Sequence, residues 1–179
     1  MKNIILILTL TASFNFLYSQ SKNEKIIYSL IKEVENYDLE QFKNWNIFVR
    51  SNYCFICSYS IKDSTIFSCS VRKTMDGNLV VQESEPHWYH GELPYEKKFY
   101  TGEEKYPFNP DFLKQLLSIV MNYELTDVYY SHESNSIFFN HSDFAVRYYY
   151  NANADIKLIE DFNYKKINDY WYYKVVTKK

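Results

Sequence analysis

The run His87-Trp88-Tyr89-His90-Gly91-Glu92 sets two imidazoles and a carboxylate within six residues. Those are the groups that hold zinc or carry protons near neutral pH. A small hydrolase or metal-dependent enzyme centred on His87, His90 and Glu92 is therefore one functional class to carry forward. The spacing fixes no geometry, however, and the flanking prolines favour a loop with Trp88 turned onto the core. His132-Glu133 and His141-Ser142-Asp143 form a second cluster. A hairpin turning at Ser134-Asn135 would put His132 opposite Ile137 and His141 opposite Val128, which keeps the imidazoles apart.

Three cysteines, Cys54, Cys57 and Cys69, offer one disulfide and one thiol left over. Cys54 and Cys57 are three residues apart, so in a strand their side chains leave on opposite faces and cannot serve one metal or redox centre. Tyr53, Phe55, Cys57, Tyr59 and Ile61 alternate with smaller or more polar residues, and so do Thr65, Phe67, Cys69 and Val71. A turn at Lys62-Asp63-Ser64 sets Ile61 opposite Thr65, and the same register sets Cys57 opposite Cys69. Cys57–Cys69 is the disulfide candidate.

Aromatic residues make up 20% of the chain, 19 of them Tyr, some in unbroken runs such as Tyr148-Tyr149-Tyr150 and Tyr170-Trp171-Tyr172-Tyr173. Consecutive aromatics in a strand must occupy both faces. With Phe144, Val146 and Tyr148 inward, Arg147 and Tyr149 point outward; with Trp171 and Tyr173 inward, Tyr170, Tyr172 and Lys174 point outward. Outward Tyr beside Arg and Lys is the make-up of recognition surfaces, where a rigid ring supplies area and its hydroxyl a hydrogen bond. Tyr149, Tyr170, Tyr172, Arg147, Lys174 and Trp88 are accordingly the candidate binding residues. The competing reading is that Tyr is simply a strand former that tolerates half-burial.

The elements that must position these groups follow from periodicity. Ile26, Ile27, Leu30, Ile31 and Val34 form the stripe of a helix over 23–36, and a short helical turn follows at Leu39–Lys43. The period then changes to two, giving strands over 47–61, 64–73 and 79–83, with Asp76-Gly77 as a turn. Residues 84–109 hold nearly all the prolines and no clear period, so an irregular excursion is expected there. Asn109-Pro110-Asp111 is a strong helix start, and Phe112, Leu113, Leu116, Leu117, Val120 and Met121 give helix 110–122 a broad apolar stripe. Strands follow over 126–131, 136–141, 143–150, 155–161 and 169–176. The expected fold is α+β: a mainly antiparallel sheet of about eight strands with two packed helices. A helix-plus-meander unit used twice is the alternative architecture.

Composition limits the function further. Three glycines leave no phosphate-binding loop, no dinucleotide fingerprint and no nucleophile elbow, so no cofactor is expected. A net charge of −2 with three arginines argues against nucleic acid. Met1-Lys2-Asn3, an apolar run from Ile4 to Leu10 and a small residue at Ser19 form a removable export signal over 1–19. That leaves 20–179 as one domain with no later apolar stretch of membrane-spanning length. The expectation is an exported protein (periplasm, envelope or medium) without enzymatic activity, binding a protein or glycan through aromatic strand faces or the 84–109 loop.

Overall fold

The computed structural model describes residues 22–51, 54–61, 64–83, 110–152 and 162–176. Helix α1 covers residues 22–34, and a short 3-10 turn, Leu39–Phe42, follows it. Asp38 caps that turn by accepting a hydrogen bond from the Glu40 amide at 3.0 Å. Asn44, at φ 74°, turns the chain into the sheet. Nine strands follow among the described residues: β1 Trp45–Ser51, β2 Cys54–Ile61, β3 Ser64–Lys73, β4 Leu79–Glu83, β5 Asp127–Ser131, β6 Ser136–Asn140, β7 Phe144–Tyr149, β8 Lys165–Lys166 and β9 Trp171–Val175. Helix α2, Pro110–Asn122, lies between β4 and β5 in sequence.

All nine strands join one antiparallel sheet in the order β4-β3-β2-β1-β5-β6-β7-β9-β8. The α+β architecture expected from periodicity is the one observed, with one strand more. Two strands were not expected: 47–61 is a hairpin rather than a single strand, and β8 at Lys165–Lys166 adds a short edge strand. β1 ends in a bulge between Val49 and Ser51, and β2 runs back beside it from Cys54. The strand expected over 155–161 lies outside the described residues, as does Asn109, the expected cap of α2.

Alternation decides what each face receives. One row crosses the whole sheet: Glu83, Cys69, Cys57, Ile47, Val128, Phe139, Val146, Tyr173 and Lys165 are successive cross-strand partners. Its middle members are buried, together with Ile27, Leu30 and Val34 of α1 and Leu116, Leu117 and Val120 of α2. Both helices therefore cover this one face. Phe42 reaches from the 3-10 turn to Phe112 of α2 and Phe139 of β6, with ring centroids 4.9 and 5.9 Å away. Two acids of the helix side anchor the sheet's far end: Trp171 Nε1 donates to Glu35 at 2.9 Å, and the Tyr173 hydroxyl donates to Glu24 at 2.9 Å.

The turns explain two differences in register. Cys57 does stand opposite Cys69, but a bulge at Tyr59/Ser60 brings Ile61 opposite Ser64 instead of Thr65. In the β5–β6 hairpin, Tyr130 rather than His132 faces Ile137. The turn takes four residues, with Asn135 left-handed at φ 45°. That slip is two residues, so every side chain keeps its expected face. At Asp76-Gly77 the expected turn is present: Gly77 sits at φ 87° and its amide bonds to the Thr74 carbonyl at 3.0 Å.

Candidate functional site

The other sheet face is covered by neither helix, and strand register dictates what stands there. Ser68, Ser58, Asn46, Tyr129, Phe138, Arg147, Tyr172 and Lys166 are successive partners along one of its rows. Strands lie about 4.8 Å apart, so flat groups on neighbouring strands can stack. Tyr129 and Phe138 do so with centroids 4.4 Å apart and planes within 11°. The Arg147 guanidinium continues the stack, 3.8 Å from the Phe138 centroid, with the Tyr164 ring 4.9 Å away. Its Nη1 donates to the Tyr149 hydroxyl at 2.7 Å, while its buried Nε has no hydrogen-bond partner among the described residues.

This arrangement divides the candidate binding residues. Tyr149 and Tyr172 lie on the face opposite the helices, as alternation requires, but they are only 5% and 4% exposed. They meet edge to face at 5.5 Å, and Tyr164 packs over them. An exposed strip made of these rings is therefore not present. The reason is local: the chain returns to the sheet through Tyr164 before β8 and covers this end of the face. Tyr170 is 42% exposed, yet it does not join them. It precedes β9, is released from strand alternation, and stacks instead on Tyr148 at 6.0 Å. Arg147 and Lys174 both remain on the outer face, Lys174 lying 4.9 Å from the Tyr164 ring. Trp88, with His87, His90 and Glu92, falls outside the described residues.

Two residues that sequence reasoning missed carry the open part of the face. Phe48 is 49% exposed on β1, opposite Ile56 and Asp127, and Tyr129 is half-buried one row away. Phe48 falls in the long segment read as one strand, where a lone outward ring gives no distinct signal. Beside them Asn140 donates to Asp127 at 2.6 Å and Thr126 donates to the same carboxylate at 3.0 Å.

Among the described residues no three His, Cys, Asp or Glu side chains converge as a metal would need. His132 meets the Tyr130 ring edge-on and His141 stacks on Phe144, each held by an aromatic neighbour. No described helix is long and apolar enough to cross a membrane. The chain matches no family model, no curated protein and no solved structure.

The Cys57 and Cys69 thiols face each other, both buried, and both stand as free thiols. Their mutual hydrogen bond, with burial second, raises the Cys57 pKa well above the ordinary range. Cys54, on the other face, is half-buried. Since the thiolate is the reactive form, iodoacetamide at pH 8 should modify native Cys54 about tenfold or more faster than Cys57. Peptide mapping after timed quenching measures this. Equal rates would mean that the β2–β3 hairpin opens as easily as it closes.

Proposed function

We propose that this protein is an exported, non-enzymatic binding domain that captures a protein or glycan on its outer sheet face. The observation that carries the reading is the open region around Phe48 and Tyr129, backed by the Phe138–Arg147 stack. Rings fixed by cross-strand stacking lose little freedom when a ligand lands on them, which favours recognition. The polar neighbours Asp127 and Asn140 are already tied to each other and present fixed acceptors and donors at the rim. Export, cleavage after Ser19 and a Cys57–Cys69 bridge belong to the same proposal, since an oxidising compartment would close that cross-strand pair.

The test uses the full mature chain, immobilised and exposed to native envelope extract or culture medium. Phe48→Ala should reduce capture about tenfold, the loss of a central aromatic anchor. Because Phe48 is half-exposed, melting should shift by no more than a few degrees. Undiminished capture by Phe48→Ala and by Tyr129→Ala would remove the outer face from consideration.

A further inference from the structure

We infer that the outer sheet face binds an extended polyanion, and specifically an acidic polysaccharide whose sugars carry carboxylate or sulfate groups. The inference rests on the binding-domain reading and adds the chemical class of its ligand.

Charge segregates across the sheet. Register places five charged residues on the outer face: Arg72, Arg147, Lys166 and Lys174, against Asp127 alone. Arg72 and Arg147 are two of only three arginines in a chain whose net charge is −2. Carboxylates on the helix side are committed locally: Glu24 to Tyr173 and Lys165, Glu35 to Trp171, and Glu40 to Lys43. On the outer face Asp127 is held by Asn140 and Thr126, and Lys166 pairs with Asp169 at 2.8 Å. Arg72, Arg147 and Lys174 make no ion pair among the described residues.

What holds two of these cations matters. Arg147 lies against Phe138 and Tyr164, and Lys174 against Tyr164 and Phe162. A ring face positions a cation but carries no net charge, so it leaves the cation uncompensated. Among the described residues the charge on this face is thus left for an external anion, and the exposed Arg72 guanidinium can make the two-point contact that carboxylate and sulfate accept.

Shape and spacing select a polymer. From Arg72 on β3 to Lys174 on β9 the face crosses six strand steps, about 29 Å at roughly 4.8 Å per step. A single sugar would leave most of that length unused. Between the cations the face presents Ser58, Ser68, Ser70, Asn46 and Asn140, with Phe48 beside Ile56 and Tyr129 stacked on Phe138. Hydroxyl and amide groups around these rings suit sugar hydroxyls and sugar faces. A protein partner would favour a contiguous apolar centre sealed from water.

The experiment titrates the mature chain with polygalacturonate, dextran sulfate, unmodified dextran and oligothymidylate. Binding to either acidic glycan, weakened about tenfold or more between roughly 50 and 500 mM NaCl, is the expected result. Arg72→Gln with Lys174→Gln should weaken it about tenfold with melting nearly unchanged, since both changes are at the surface. Equal binding of unmodified dextran, insensitive to salt, would overturn the polyanion claim and leave the binding-domain reading intact. Preference for oligothymidylate would replace the glycan with single-stranded nucleic acid. Binding of none of the four overturns the inference, and the capture experiment with Phe48→Ala then judges the broader reading separately.

Discussion

Replacing Tyr149 and Tyr172 together with alanine is expected to lower the melting temperature by about 10–20 °C. Each ring is almost fully buried, and removing a buried aromatic costs about 3–5 kcal/mol. The two rings touch each other, so their losses overlap, and a combined cost of about 4–6 kcal/mol is reasonable. For a chain of this size that corresponds to the stated shift, at about 2–4 °C per kcal/mol. Arg147 would also lose the hydroxyl that accepts from its Nη1. Thermal melting by circular dichroism measures the effect. A drop below about 3 °C would show that Tyr164 does not seal this end of the face in solution, and the rings would return to the list of contact residues.

A loss of comparable size is expected from one core position. Phe139 is fully buried, stands opposite Val128 and Val146, and touches the rings of Phe42 and Trp171. Phe139→Ala removes the floor on which the 3-10 turn and β9 both rest. The cost should be about 3–5 kcal/mol, a large share of the 5–15 kcal/mol that holds an ordinary domain folded. Phe139→Leu keeps most of the volume and should cost under about 1.5 kcal/mol. Urea titration of both variants gives the comparison. Similar losses for the two would mean that ring contacts, rather than filled volume, hold this layer together.

The fold was largely legible because alternation and helix stripes are written directly in residue types. Helix 110–122 follows from Pro110, Asp111 and the stripe beginning at Phe112, and its bounds agree with the structure. The β1–β2 turn escaped notice for a definite reason. Ile47 and Val49 before it and Phe55, Cys57 and Tyr59 after it are all odd-numbered and face the core, so the alternation passes through the reversal unbroken. No glycine or proline marks the place. The candidate site was only half legible. Parity assigned Arg147, Tyr149, Tyr172 and Lys174 to the correct face, but parity says nothing of what lies above a face. Tyr164 is distant from Tyr149 along the chain and carries no alternating pattern of its own, so its position over Tyr149 and Tyr172 could be seen only in three dimensions. Tyr170 falls outside this pattern because strand geometry does not extend to the residue before the start of β9.

The strand order has a consequence for how the molecule is made. Most neighbouring pairs in the sheet are consecutive in sequence; β7 with β9 skips only β8, whereas β1 with β5 brings Asn46 to Tyr129 across some eighty residues. Two meanders, each preceded by a helix, can zip locally, while joining them requires closing that long loop for only three residue pairs. The rate of reaching the native state is therefore governed at this narrow seam. Until it closes, β1 and β5 are both unprotected edges, each with an apolar side exposed. A newly made chain is most vulnerable in that interval, because at high chain concentration two copies can pair with each other at those edges before one copy pairs with itself.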